Sequence, residues 1–169
     1  DVRSKQFLKI FRKADGTKES MAQRMYRMIR EVDPEATITI ATSENQIPQI
    51  RAQRGDGVGI SVEPTRRDTF PAIALAAAYL ANQGVGREEP VVVCPVDPYV
   101  ERGYYECLKE LSDAAAKPGA ANLTLMGIEP TYPSEKYGYI IPTGKGHVSP
   151  VSEFREKPDE ATAKKYIAE

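Results

Sequence analysis

The chain has 169 residues, 41% hydrophobic and 28% charged, which is globular composition with enough length for one hydrophobic core and excludes a disordered chain. Its 23 Lys and Arg stand against 24 Asp and Glu, a net charge of −1 that speaks against a dedicated nucleic-acid binder. The apolar runs 71–81 and 90–94 are too short to span a membrane, so no membrane partner is expected. Cys94 and Cys107 form no CxxC or disulfide framework, and residues 1–12 lack a secretory pattern, so a reducing cytoplasm is expected.

In chain order, Met21, Met25, Met28 and Ile29 recur at helical spacing across 19–30, and Asp33-Pro34 stops the pattern. The β-branched run 37–41 predicts a strand, 45–54 a second helix and 58–62 a second strand. Asp68 or Thr69 then caps a helix with Pro71 in its first turn. Residues 90–94 (PVVVC) are apolar at every position, the pattern of a central strand in a covered sheet. A helix over 104–116 and a strand over 122–128 follow. Beyond them, 137–141 and 148–154 read as a hairpin, and 159–168 as a short terminal helix. Repeated β-α units call for an α/β fold: three-layer, Rossmann-like, with a mixed, mainly parallel sheet and helices on both faces. No linker or repeat divides the chain, so residues 1–169 are expected to form a single domain. Because it starts without Met, in mid-pattern, that domain is expected to be partial.

Ligands of open α/β sheets bind outside the carboxyl ends of the strands. Here those ends are residues 42–44, 63–69 and 95–98. Asp97, held between Pro95 and Pro98, suits a single carboxylate for Mg2+, which takes its other ligands from phosphates and water; a turn or capping aspartate is the alternative. Arg66 and Arg67, just before a helix start, suit an anionic group, against a solvated loop in which Asp68 caps the helix. The glycines at 55, 57 and 59 precede a strand rather than follow one, so they are no dinucleotide fingerprint. His147 belongs to an exposed turn, and Cys94 is a small core residue. Strand alternation sends Glu156 and Lys157 to opposite faces unless Pro158 bends the chain.

Several segments in order resemble one family. Glu63-Pro64-Thr65-Arg66-Arg67-Asp68-Thr69-Phe70-Pro71 and the following IALAA resemble the EPxxRNTAPAIALAA segment of mannose-1-phosphate guanylyltransferases. Residues 5–8 resemble their PKQFL, 94–97 their LPADH-type strand end, 137–140 their GYGYI and 154–158 their FVEKP. The sequence has Ser4, Asp68, Phe70, Val96 and Pro98 where the family commonly has Pro, Asn, Ala, Ala and His. The GGxGTRLWPLS signature of the family would precede Asp1, and a WNSG-type segment would follow Glu169. The resemblance therefore implies the central portion of such a domain, inactive alone.

It also implies the reaction: GTP and mannose 1-phosphate give GDP-mannose and pyrophosphate by direct in-line attack, with Mg2+ as cofactor. On this resemblance Lys5, Asp97 and Lys157 are catalytic, with Asp97 the metal ligand and Lys5 on the nucleotide phosphates. Glu63, Arg67, Asp68 and Thr69 would bind the nucleotide, and Gly138, Glu156 and Lys157 the sugar phosphate. The same chemistry with a thymidylyl or uridylyl donor, or a non-catalytic sugar-nucleotide-binding domain, are the alternatives. Homo-oligomerisation is left open by the sequence.

Overall fold

The computed structural model describes residues 4–55 and 57–168. Two compact units divide the chain, one ending at Thr124 and the other beginning at Leu125.

The first unit opens with a 3₁₀ turn, Lys5–Phe7, and a short antiparallel ribbon of β1 (Phe11–Arg12) and β2 (Lys18–Glu19). Helix α1 (Met21–Val32) begins at a reciprocal cap: Ser20 Oγ accepts the Gln23 amide at 3.2 Å, and Gln23 Oε1 accepts the Ser20 amide at 3.1 Å. Next come β3 (Thr39–Ser43), α2 (Ile47–Arg54) behind a 3₁₀ turn, and β4 (Gly59–Glu63). Strands β3 and β4 pair in parallel, Ile40 opposite Ile60 and Ser43 opposite Glu63.

Alternation sorts the two faces of this pair. Ile40 and Ile60 pack on the core of Phe7, Ala22, Ile50 and Val58, contributed by the first turn, α1, α2 and the approach to β4. Residues 59 and 61 point the other way. A Cβ on Gly59 would press on Thr39 Oγ1 and lie 3.2 Å from the hydroxyl of Tyr79, so α3 (Thr69–Asn82) covers this second face. Helices thus lie on both faces of a parallel pair, the expected α/β arrangement. Helix α4 (Arg102–Ala115) packs on α1, burying Tyr105 and Leu108.

The sheet is narrower than the sequence suggests. Among the described residues the strands form three two-stranded sheets, and segments 90–94 and 122–128 join no ladder. Val91 and Val93 are 52% and 57% exposed, so 90–94 is covered on one side only. Apolar content records what a strand can bury, whereas a ladder also needs a neighbouring backbone, which side-chain pattern does not specify.

In the second unit, β5 (Gly138–Pro142) and β6 (Val151–Glu156) form an antiparallel hairpin with Gly138 opposite Glu156 and an irregularity at Ile141/Pro142. Helix α5 (Glu160–Ala168) packs on β5, with Ala163 fully buried and the Tyr139 and Tyr166 rings 5.8 Å apart. The Asp159 carboxylate accepts the Thr162 amide at 2.7 Å, capping this helix, and that bond lowers its pKa. No described helix is long and apolar enough to cross a membrane.

Candidate active site

Lys5 and Asp97 are 92 residues apart in sequence and meet in the first unit, Nζ to Oδ2 at 3.1 Å. The turn carrying Lys5 is pinned from several sides. Phe7 is buried in the core, its carbonyl accepts Gln53 Nε2 at 2.8 Å, and Ser4 Oγ accepts Gln46 Nε2 at 3.1 Å. Gln46 also accepts the Thr42 hydroxyl at 2.8 Å, so a hydrogen-bond relay runs from the end of β3 to the turn holding Lys5. Ser4 therefore fixes this turn through its hydroxyl. Val96 packs against the core, and alternation turns Asp97 outward. Both partners are exposed, and an exposed ion pair contributes at most about 1 kcal/mol to stability. The pair is therefore weak as structural glue, and both groups stay accessible to a phosphate or a cation.

At the carboxyl ends of β3 and β4, a cleft of about 430 Å³ is lined by Ser43, Glu44, Asn45, Glu63, Thr65 and Arg66. Glu63 thus occupies a cleft at a strand end, as expected. Arg66 rather than Arg67 lines it; Arg67 stands exposed on the following loop. Asp68 and Thr69 lie at the start of α3, where Asp68 Oδ1 accepts the Thr69 amide at 3.0 Å. Asp68 sits at φ 71°, ψ −170°, a conformation ordinarily left to glycine. Ser43 and Glu44 belong to a strand end the sequence points out and Asn45 to the start of the helix expected after it, but nothing in their types marks them as cleft-lining.

The second unit gathers Gly138, Glu156 and Lys157 at one end of its hairpin. Lys157 takes φ 46°, which breaks strand alternation and brings its Nζ to 3.1 Å from Glu156 Oε1. Its amide donates to the Tyr137 carbonyl at 3.1 Å. The bend before Pro158 therefore puts both charged groups on one side. A Cβ at Gly138 would collide with the Phe154 ring and lie 3.0 Å from Glu156 Oε2, so only glycine leaves this carboxylate its place.

The other expectations resolve simply. Gly55 ends α2 at φ 61° and Gly59 opens β4, so this glycine run precedes a strand; Asp56 lies outside the described residues. His147 is exposed in a turn. Cys94 is half-buried, and burial raises its thiol pKa, which keeps it protonated and unreactive. Among the described residues no three His, Cys, Asp or Glu side chains cluster as a metal cage. A lone exposed carboxylate such as Asp97 still fits Mg2+, which needs only one or two protein carboxylates beside substrate phosphates.

Residues 3–169 match the nucleotidyl transferase family model. The chain belongs to the nucleotidyl transferase family. Among curated relatives of the chain, the alginate biosynthesis protein AlgA of Pseudomonas aeruginosa is 36% identical over 129 residues, covering 71% of this chain and 25% of its own. A mannose-1-phosphate guanylyltransferase of Salmonella muenchen is 37% identical over 122 residues, 70% of this chain and 25% of its own. The crystal structure of a mannose-1-phosphate geranyltransferase from Thermus thermophilus superposes with a TM-score of 0.70 at 26% identity, covering 92% of this chain and 44% of that one. The chain thus spans about a quarter to a third of the length of the curated relatives it matches.

Proposed function

We propose that this nucleotidyl transferase chain serves the formation of GDP-mannose and pyrophosphate from GTP and mannose 1-phosphate. The observation that carries the proposal is the meeting of Lys5 and Asp97 in the first unit, at the positions where the guanylyltransferase resemblance calls for a phosphate-binding lysine and a metal-binding aspartate. Relatives named for mannose 1-phosphate support the sugar. A cytoplasmic setting is part of the proposal.

In the reaction a sugar-phosphate oxygen attacks the α-phosphorus of GTP in line. One P–O bond forms as the bond to the β-phosphate breaks, and the electron pair leaves with pyrophosphate. No covalent enzyme intermediate is needed, so the protein's tasks are alignment and charge neutralisation. Lys5 places a compact positive charge at the triphosphate. Asp97 would hold Mg2+, which supplies charge neutralisation at the phosphate oxygens when bound. Glu63, an acceptor-only group in its cleft, suits the N1–H and N2–H₂ donors of guanine. Arg67, Asp68 and Thr69 follow it on the nucleotide loop. In the second unit, Lys157 takes the sugar phosphate and Glu156 accepts hydrogen bonds from sugar hydroxyls.

Binding of GTP, dTTP and UTP by calorimetry, each with Mg2+, tests the nucleotide. GTP should bind tightest, and Glu63→Gln should erase its advantage. Preference for dTTP or UTP would move the chain to a thymidylyl or uridylyl reaction and overturn the guanylyl reading. A chain that binds GDP-mannose but shows no Mg2+ effect on GTP would instead be a non-catalytic binding domain.

A further inference from the structure

A second cavity, larger than the cleft at the strand ends, opens in the first unit between the β1–β2 ribbon, α1 and the loop after Asp97. Its volume is about 630 Å³, within the range of small-molecule sites. None of the residues assigned to nucleotide or sugar phosphate lines it.

Its chemistry is unusual for a merely structural gap. Arg24 is only 8% exposed, and its Nη1 is buried with no hydrogen-bond partner. A buried guanidinium N–H without an acceptor is costly, and native structures generally supply one. The Arg24 guanidinium lies over the Tyr99 ring, 4.6 Å from its centroid, and Phe11 stacks on Tyr99 at 5.4 Å. The aromatic contact orients the guanidinium but offers no lone pair to that N–H.

Charge completes the picture. Four cations, Arg12, Lys13, Arg24 and Arg27, line the cavity with two carboxylates, Asp15 and Glu19. Both carboxylates are already matched: Lys13 Nζ lies 3.1 Å from Asp15, and Arg27 holds Glu19 at 2.6 and 3.1 Å. Arg24 and Arg12 remain as a surplus of two positive charges. A phosphate monoester carries about −1.5 to −2 at pH 7, which suits that surplus, and its oxygens suit guanidinium donors. Tyr99 is largely exposed, so the ring pair presents aromatic surface to the same space.

We propose that this cavity binds a small phosphate monoester carrying an aromatic ring, with the phosphate on Arg24 and Arg12 and the ring against Phe11 and Tyr99. Tyr99 follows Asp97 by two residues, so a ligand held here also steadies the loop that presents Asp97. The site is separate from the Lys5–Asp97 site, and its failure would leave the proposed reaction untouched.

The test is calorimetric titration of the whole chain with phenyl phosphate, with inorganic phosphate as the ring-free control. Saturable binding is expected with a Kd of about 1 mM or tighter, and inorganic phosphate weaker by about tenfold. Arg24→Gln should weaken phenyl phosphate at least about tenfold. Arg12→Gln alters an exposed side chain, so folding is spared, and it should weaken binding several-fold. Lys5→Ala should bind the probe as wild type does. No saturation, equal affinity for inorganic phosphate, unchanged affinity in both arginine variants, or loss of binding in Lys5→Ala would each overturn the proposal.

Discussion

Asp68 at φ 71°, ψ −170° occupies backbone space that costs a residue with a Cβ about 1–3 kcal/mol. Replacing it by glycine removes that strain. Two smaller terms oppose the gain: a Gly cap is weaker than Asp by a few tenths of a kcal/mol, and glycine adds about 0.5–1 kcal/mol of unfolded-state entropy. Asp68→Gly should therefore be as stable as the wild type or more stable by about 1 kcal/mol. Asp68→Ala keeps the strain and loses the carboxylate that accepts the Thr69 amide, a loss of about 1 kcal/mol. The two variants should then differ by about 1–2 kcal/mol. With a urea slope of about 2 kcal/mol/M, that is a separation of about 0.5–1 M in midpoint at constant slope, readable by far-UV circular dichroism. If the alanine variant unfolds at or above the glycine midpoint, the strained conformation of Asp68 is refuted.

Asp15 accepts hydrogen bonds from the Thr17 hydroxyl at 2.6 Å and amide at 2.9 Å, with Lys13 alongside, and these hold its pKa at about 2. A carboxyl depressed on folding stabilises above its unfolded value of about 4, and that contribution is lost as pH falls from about 4 through about 2. A carboxyl-carbon NMR titration should show a midpoint near about 2 that rises in Thr17→Val; an unmoved midpoint would contradict the assignment. Glu19 is buried, and its bonds from Arg27 are charge-assisted, so Glu19→Gln should cost about 1.5–3 kcal/mol. That loss should persist in 1 M NaCl, within the ~3 Å Debye length there; its disappearance in salt would mark an ordinary surface pair. Gly138→Ala forces Phe154 and Glu156 aside. Since Phe154 is half-exposed and can swing, stability should fall by about 1 kcal/mol, while mannose 1-phosphate affinity by NMR titration falls at least about tenfold. Unchanged affinity would remove Glu156 from sugar binding.

Much of this fold is legible in the sequence because its helices carry their own signals. The Met periodicity of α1 and the Asp-Pro after it, Pro71 in the first turn of α3, and the β-branched run at β3 each fix an element locally. Pairing is less legible. Strands β1 and β2 have two residues each, too short for any periodicity, and nothing in PVVVC says whether a neighbour lies beside it. The site divides the same way. Asp97 and Glu63 stand out from residues alone by their place at expected strand ends, of which only that at Glu63 is a paired strand, and the meeting of Lys5 with Asp97 joins positions 92 apart and is signalled only by resemblance. Glu156 and Lys157 sit on one side because Lys157 enters the left-handed region, a bend that Pro158 hints at without specifying. Arg24 lies in a helix whose apolar stripe is read from its methionines, and no pattern announces that this arginine is buried.

The central claim is that Asp97 and Lys5 form the metal and phosphate end of the nucleotide site. Calorimetric binding of GTP to the chain, with Mg2+ and with EDTA, tests it directly. In the wild type Mg2+ should tighten GTP by about tenfold or more, about 1.4 kcal/mol. Asp97→Asn should abolish that Mg2+ effect, and Lys5→Ala should weaken GTP in both conditions. A Mg2+ effect of the same size in Asp97→Asn and the wild type would contradict the account.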